Sequence, residues 1–184
     1  MSSASKKARL FIGLSMPPLL AQQLVLLGGG IEGARWEPAK KLHLTLRFLG
    51  EVDGGLRSDL DEALRTVKAD AFDLTLRGSG HFPPRGEPRS LWIGVEPNPA
   101  LLALHGAVET ALRGLGLSPD ARNFAPHVTL ARLKKSPSKK VAAWLGLHAL
   151  WDAPPFRVEH FTLFSSILDH RGSKYTPEVD YPLC

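Results

Sequence analysis

The chain has 184 residues, 43% hydrophobic and 22% charged, proportions typical of soluble globular domains and contrary to wholesale disorder. That length suits one domain or two intimately packed lobes, able to bury roughly 70% of the surface exposed by the unfolded chain. Lys plus Arg outnumber Asp plus Glu by 23 to 18, a net charge of +5, which favours anionic partners such as nucleic acid without requiring one.

Cys184 is the single cysteine, so no intrachain disulfide can form and a reducing, cytoplasmic compartment is the simpler expectation. Lys6, Lys7 and Arg9 precede the apolar stretch 10–20, but Gly13 and Pro17-Pro18 interrupt it well short of a bilayer span. A soluble protein without a membrane partner is expected, with residues 1–7 frayed.

In chain order, residues 9–14 (RLFIGL) read as a buried strand, and Pro17-Pro18 open a helix that Gly28-Gly29-Gly30 stop after Leu27. Trp36 begins the approach to residues 42–49 (LHLTLRFL), an alternating strand ended by Gly50. Leu56, Leu60, Leu64 and Val67 make a helical stripe, with Arg57, Asp61 and Arg65 on the opposite face. Residues 72–77 alternate again, a Gly/Pro-rich loop covers 78–88, and residues 91–95 (LWIGV) form another strand. A long helix over 99–115 is followed by a strand over 127–133, a basic turn at Lys134-Lys135 and a helix over 138–147. A strand over 156–164 and an extended piece ending at Leu183 close the chain. The two halves resemble a duplicated α+β unit with no Ser/Gly linker between them, so one domain over residues 1–184 is expected.

Three tetrapeptides share the pattern His, apolar, Thr, apolar: His43-Leu44-Thr45-Leu46, His127-Val128-Thr129-Leu130 and His160-Phe161-Thr162-Leu163. Composition alone predicts about 0.05 copies. In an extended strand each His and its Thr project on one face while the apolar pair packs on the other.

As zinc ligands these histidines lack partners, because no Asp, Glu or Cys sits at ligand spacing beside either of the first two copies. A nucleophile is also missing, since neither motif holds Ser or Cys. A metal-free acid/base pair fits better: one imidazole takes a proton while the other gives one, and the Thr hydroxyls donate to phosphoryl oxygens. The plainer alternative is a half-buried strand histidine satisfied by a carbonyl, the commoner case for any single His.

Residues 42–51 (LHLTLRFLGE) and 126–133 (PHVTLARL) resemble the two signature strands of the 2H phosphoesterase superfamily. RLFIGL, Trp36-Glu37-Pro38, LWIGV and FTLFSS are similar to flanking segments of its RNA 2′,3′-cyclic phosphodiesterase branch, also called the 2′-5′ RNA ligase family. The resemblance implies a bilobal, pseudo-symmetric α+β fold in which two antiparallel sheets line a central cleft and helices lie outside. It implies metal-independent, cofactor-free opening of RNA 2′,3′-cyclic phosphate ends to 2′-phosphates, with tRNA halves and 2′-5′ joining within reach; a monomer is a separate expectation. On that basis His43 is the proton donor, His127 the proton acceptor, and Thr45, Thr129 and Arg132 bind the phosphate.

Arg132 lies at an odd offset from His127, so a bulge or bend is needed to turn it inward. Arg47, four residues after His43, has the matching parity and is a second cationic candidate. His81 and Phe82 are placed to line the cleft, and Phe82 or Phe48 to stack on a base, although core packing is the commoner role for a strand Phe such as Phe48. His160 is read as an edge or surface residue, His105 and His148 as structural, and His170 as part of a polar turn. Two other readings remain: a phosphodiesterase of small cyclic nucleotides, and an RNA-end binder or tRNA-half ligase whose hydrolysis is incidental.

Overall fold

A computed structural model describes residues 8–170 and 172–184, so the expected fraying of residues 1–7 lies outside the described residues. The elements run β1 (Ala8–Ser15), α1 (Pro18–Val25), β2 (Ala34–Trp36), a single 3-10 turn (Ala39–Lys41), β3 (His43–Val52), α2 (Gly54–Arg65), β4 (Phe72–Leu74) and β5 (Leu76–Phe82). They continue with β6 (Ser90–Val95), α3 (Pro99–Gly114), β7 (His127–Leu133), α4 (Ser138–His148), β8 (Phe156–Val158), β9 (His160–Asp169) and β10 (Gly172–Pro182).

Helix starts follow their local chemistry. The Asp53 carboxylate accepts from the Leu56 N–H at 2.9 Å, and the Asn98 carbonyl oxygen accepts from the Leu101 N–H at 3.0 Å. Pro18 and Pro99 occupy first turns, where a missing N–H costs nothing.

The main sheet has the order β10-β9-β1-β3-β7-β6-β5, with β2 added on β7, and every pairing is antiparallel. The two antiparallel sheets expected from the resemblance are thus the two halves of one surface. They join through a single residue pair, Leu44 with Val128. Both side chains are fully buried, which anchors the seam to the core. Helices α2 and α3 pack together behind the β3 half, while α4 packs against β5. The Trp144 indole N–H donates to the Leu27 carbonyl at 2.7 Å and ties α4 to the end of α1. Among the described residues no helix is long and apolar enough to cross a membrane.

Two expected strands are each divided. The 72–77 segment splits into β4 and β5, and the 156–164 segment into β8 and β9, because β4 and β8 pair with each other in a separate two-stranded sheet. The expected loop 78–88 is half strand, since β5 runs on to Phe82. Its glycines serve packing: the Trp92 ring occupies the place a Cβ on Gly80 would take, and Gly78 (φ +73°) sits at an irregularity in the β5–β6 register.

Gly33 holds β2 on β7. Its carbonyl accepts from the Lys134 N–H at 3.0 Å, its φ is +76°, and a Cβ there would collide with the Lys134 carbonyl oxygen. Gly33→Ala is therefore expected to lower stability by about 1–3 kcal/mol, measured as a shift in the urea unfolding midpoint at unchanged slope.

Candidate active site

His43, Thr45, His127, Thr129 and Arg132 line one cavity of about 510 Å³ at the seam of the two half-sheets. The antiparallel pair Leu44–Val128 turns its two apolar side chains to the core. The flanking His and Thr of each strand then share the opposite face.

Each histidine is held by the same device. His43 Nδ1 lies 2.7 Å from the Lys41 carbonyl and His127 Nδ1 lies 2.7 Å from the Ala125 carbonyl. A carbonyl only accepts, so both Nδ1 atoms carry the hydrogen, and in the neutral rings both Nε2 atoms are bare. The Thr45 hydroxyl, 3.0 Å from His43 Nε2, donates to it. Aromatic rings back each imidazole: Phe11 at 4.7 Å and Tyr175 edge-on at 5.2 Å for His43, Phe82 edge-on at 4.8 Å and Trp92 at 5.9 Å for His127.

Burial pushes both imidazoles below their ordinary pKa, since a charged ring loses hydration there. The backbone carbonyl opposes this in each case. Nearby positive charge adds to it, from His127 and Arg132 on His43 and from Arg132 on His127.

A bulge does bring Arg132 round to this face. In the β6–β7 register Leu91 pairs with Ala131 and Trp92 with Thr129, which skips Leu130, and both Leu130 and Ala131 are buried. The same irregularity occurs in β3, where Ile12 pairs with Arg47 and Gly13 with Thr45, skipping Leu46. It exchanges the expected places of Arg47 and Phe48. Phe48 stands 53% exposed on the cavity wall, so the core-packing role is corrected.

Arg47 borders the cavity, but its guanidinium is not the free cation expected from parity. Nη1 donates to both Glu109 carboxylate oxygens at 2.8 and 2.7 Å, Nη2 to the Ser118 carbonyl, and Nε to the Phe48 carbonyl at 3.2 Å. His81 is a second correction: it does not line the cavity, and its Nδ1 is buried without a hydrogen-bond partner, while its neighbour Phe82 faces inward. His160 lies outside, 3.8 Å from Asp180, beside a smaller groove. His148 is structural, donating from Nδ1 to the Trp144 carbonyl at 2.8 Å.

Three cavity residues carried no sequence signal for this site. His105 stacks on Phe124 at 3.9 Å and 3° between ring planes, and both rings line the wall, so His105 is more than a helix-packing residue. Tyr175 arrives from β10, the last strand. The described residues contain no group of three or more His, Cys, Asp or Glu able to hold a metal ion.

Two His-x-Thr strands meeting over one cleft in this topology define a 2H phosphoesterase. Within that class the chain belongs to the 2′-5′ RNA ligase superfamily, whose family model matches residues 32–169. The RNA 2′,3′-cyclic phosphodiesterase of Thermotoga maritima is 37% identical over 147 residues, covering 78% of this chain and 76% of that protein. That of Aeropyrum pernix is 35% identical over 139 residues, 74% of this chain and 78% of its own. Apo LigT of E. coli superposes with a TM-score of 0.79 at 26% identity, over 97% of this chain and 99% of that one, and LigT has also been solved with 3′-AMP.

Two outcomes follow from this geometry. Glu109→Leu leaves the Arg47 charge buried and is expected to cost about 3 kcal/mol, much of it regained in Arg47→Met/Glu109→Leu, as a double-mutant cycle by urea unfolding will show. NMR titration of the free protein is expected to find His43 and His127 protonating below pH about 6.5, and inorganic phosphate to raise both, because an anion in the cavity favours the imidazolium.

Proposed function

We propose that this protein hydrolyses RNA 2′,3′-cyclic phosphate ends to 2′-phosphates, with His43 as acid and His127 as base. The observation that carries the reading is the convergence of two bare Nε2 atoms, two Thr hydroxyls and Arg132 on one cavity. Among the described residues Arg132 has no hydrogen bond or ion pair, which leaves its guanidinium free for a phosphoryl oxygen.

A bound cyclic phosphate monoanion raises the affinity of its neighbours for protons and so loads His43. Protonated Nε2 no longer accepts from Thr45, whose hydroxyl hydrogen is released to a phosphoryl oxygen beside those of Thr129 and Arg132. Water attacks phosphorus opposite the 3′ oxygen and gives its proton to His127 Nε2 as the new P–O bond forms. The P–O3′ bond breaks, the electron pair stays on O3′, and His43 supplies its proton. The 2′-phosphate leaves, and exchange with solvent resets both rings. Burial and the Arg132 charge make the His43 imidazolium more acidic, which suits a proton donor.

An RNA 5′-hydroxyl attacking in place of water gives a 2′-5′ linkage by the same proton transfers, so tRNA halves fall within this substrate class. Phe48 and Phe82, at the cavity wall, are the candidate base-stacking surfaces. E. coli LigT solved with 3′-AMP and with phosphate supports a nucleotide reading of the cavity. A monomeric, cytoplasmic enzyme is the setting we infer, the single cysteine supporting the reducing compartment.

Product analysis on an RNA ending in a 2′,3′-cyclic phosphate is expected to give the 2′-phosphate; a 3′-phosphate product would overturn the cleavage direction. His43→Ala and His127→Ala should each lower kcat by about 100-fold or more, with circular dichroism unchanged and His160→Ala near wild type. A 3′-thio substrate, whose sulfur leaves without a proton, should rescue His43→Ala alone. Rescue of His127→Ala instead would exchange the two roles.

A further inference from the structure

Next to the phosphate-binding face lies a second cationic group that the chemistry above does not use. In the β2–β7 register Arg35 pairs directly with Arg132. Residues directly opposite in an antiparallel pair share a face, so both guanidinium groups emerge on the cavity side of the sheet. The other parity is occupied by Trp36 and Ala131, both directed to the core, with Trp36 against Trp144 at 5.7 Å.

Like charges directly opposite each other destabilise a sheet unless an anion lies between or beside them. Among the described residues neither arginine has an ion pair or hydrogen bond. Arg35 instead reaches toward the opposite half-sheet. Its Nη1 lies 3.6 Å, and Lys41 Nζ 4.0 Å, from the position of a Cβ built on Gly172, at the start of β10. Lys41 also sits over the Tyr175 ring at 5.8 Å from its centroid. Among the described side chains Glu37 lies 4.0 Å from Lys41 and partly neutralises it, while no ion pair involves Arg35.

Arg132 and Lys41 line the cavity and Arg35 stands just outside it, so the three cations extend the anion-binding surface from the candidate catalytic phosphate over β2. Elsewhere the cavity wall carries Phe48 and the His105–Phe124 stack, with Asp120 and Arg122 beside them paired to each other. On the proposed reading a mononucleotide places its phosphate at the two histidines and its base on the aromatic wall, which leaves Arg35 uncovered. A chain needs an anion site at a second place, one nucleotide upstream of its terminus.

We propose that Arg35, assisted by Lys41, binds the internucleotide phosphate preceding the terminal cyclic phosphate, and so makes the enzyme prefer an RNA chain to a mononucleotide. This rests on the phosphodiesterase reading of the same cavity.

The test compares kcat/KM for adenosine 2′,3′-cyclic phosphate with that for the dinucleotide ApA ending in the same group. In the wild type the dinucleotide is expected to be the better substrate. Arg35→Gln should lower the ratio of dinucleotide to mononucleotide by about tenfold, the worth of one charge-assisted contact. It should also flatten the slope of log kcat/KM against log salt for the dinucleotide, because one charge pair fewer is screened. Arg157→Gln, which removes the same charge on the remote β8, should keep the wild-type ratio and slope. An Arg35→Gln protein that is folded by circular dichroism and keeps the wild-type ratio overturns the proposal. So does a wild type that hydrolyses both substrates without preference. Hydrolysis of neither substrate by the wild type would instead overturn the phosphodiesterase reading itself.

Discussion

The cleft depends on one cross-strand pair. Among the described residues Leu44 and Val128 are the only cross-strand partners between β3 and β7, both fully buried, and through them the two half-sheets become one surface. The constraint is hydrophobic in origin, since those side chains have no place except the core. Its consequence is chemical. With the apolar residues fixed inward, the pleat leaves His43, Thr45, His127 and Thr129 no direction except toward the cavity. A slip of one residue in either strand would bury a histidine and expose a leucine or valine, so core packing sets the register of the site.

Charge in the cavity is arranged from the centre outward. Aromatic rings behind each imidazole strip hydration and favour the neutral ring. Among the described residues Arg132 and Arg35 have no hydrogen bond or ion pair; Arg132 lines the cavity and Arg35 stands beside it on the neighbouring strand. Arg47 shows the contrasting fate. The bulge at Leu46 turns it inward, where an unpaired guanidinium would be costly, and Glu109 on α3 answers it with both carboxylate oxygens. That ion pair also fixes the start of the segment leading to Phe124, through the Ser118 carbonyl, so a charge removed from the substrate's reach still shapes the wall the substrate meets.

What the sequence made legible was local. The His-x-Thr strands, the helix stripes and the proline starts can all be read within a few residues, and they stand where expected. Parity failed where a strand is irregular. Bringing Arg132 to the cavity required a bulge after Thr129, and the same argument applied to the duplicated strand would have turned Phe48 in and Arg47 away after Thr45. The strand breaks at Thr75 and Glu159 were hidden because changing sheets is a tertiary event that no local alternation records. Tyr175 and His105 reach the site from β10 and α3, and Arg35 stands beside Arg132 on β2, elements without a catalytic motif that only the assembled topology brings there. For Arg35 a signal existed: it precedes the Trp36-Glu37-Pro38 approach, and Trp36 packing inward obliges its neighbour to face out.

The duplication explains how a symmetric scaffold handles an asymmetric substrate. Each lobe supplies a His held by the carbonyl two residues before it, a Thr two residues on, and a bulge that brings one further residue to the face. At that last position the copies diverge, to Phe48 in one lobe and Arg132 in the other. A terminal cyclic nucleotide is divided in the same way, with an aromatic base at one end and an anionic backbone at the other. On the proposed reading the two residues orient it, the base drawn to the ring and the backbone to the cation. With the nucleotide fixed in that sense, the proposed mechanism assigns the 3′ oxygen and the attacking water to different histidines, and two identical side chains take opposite tasks.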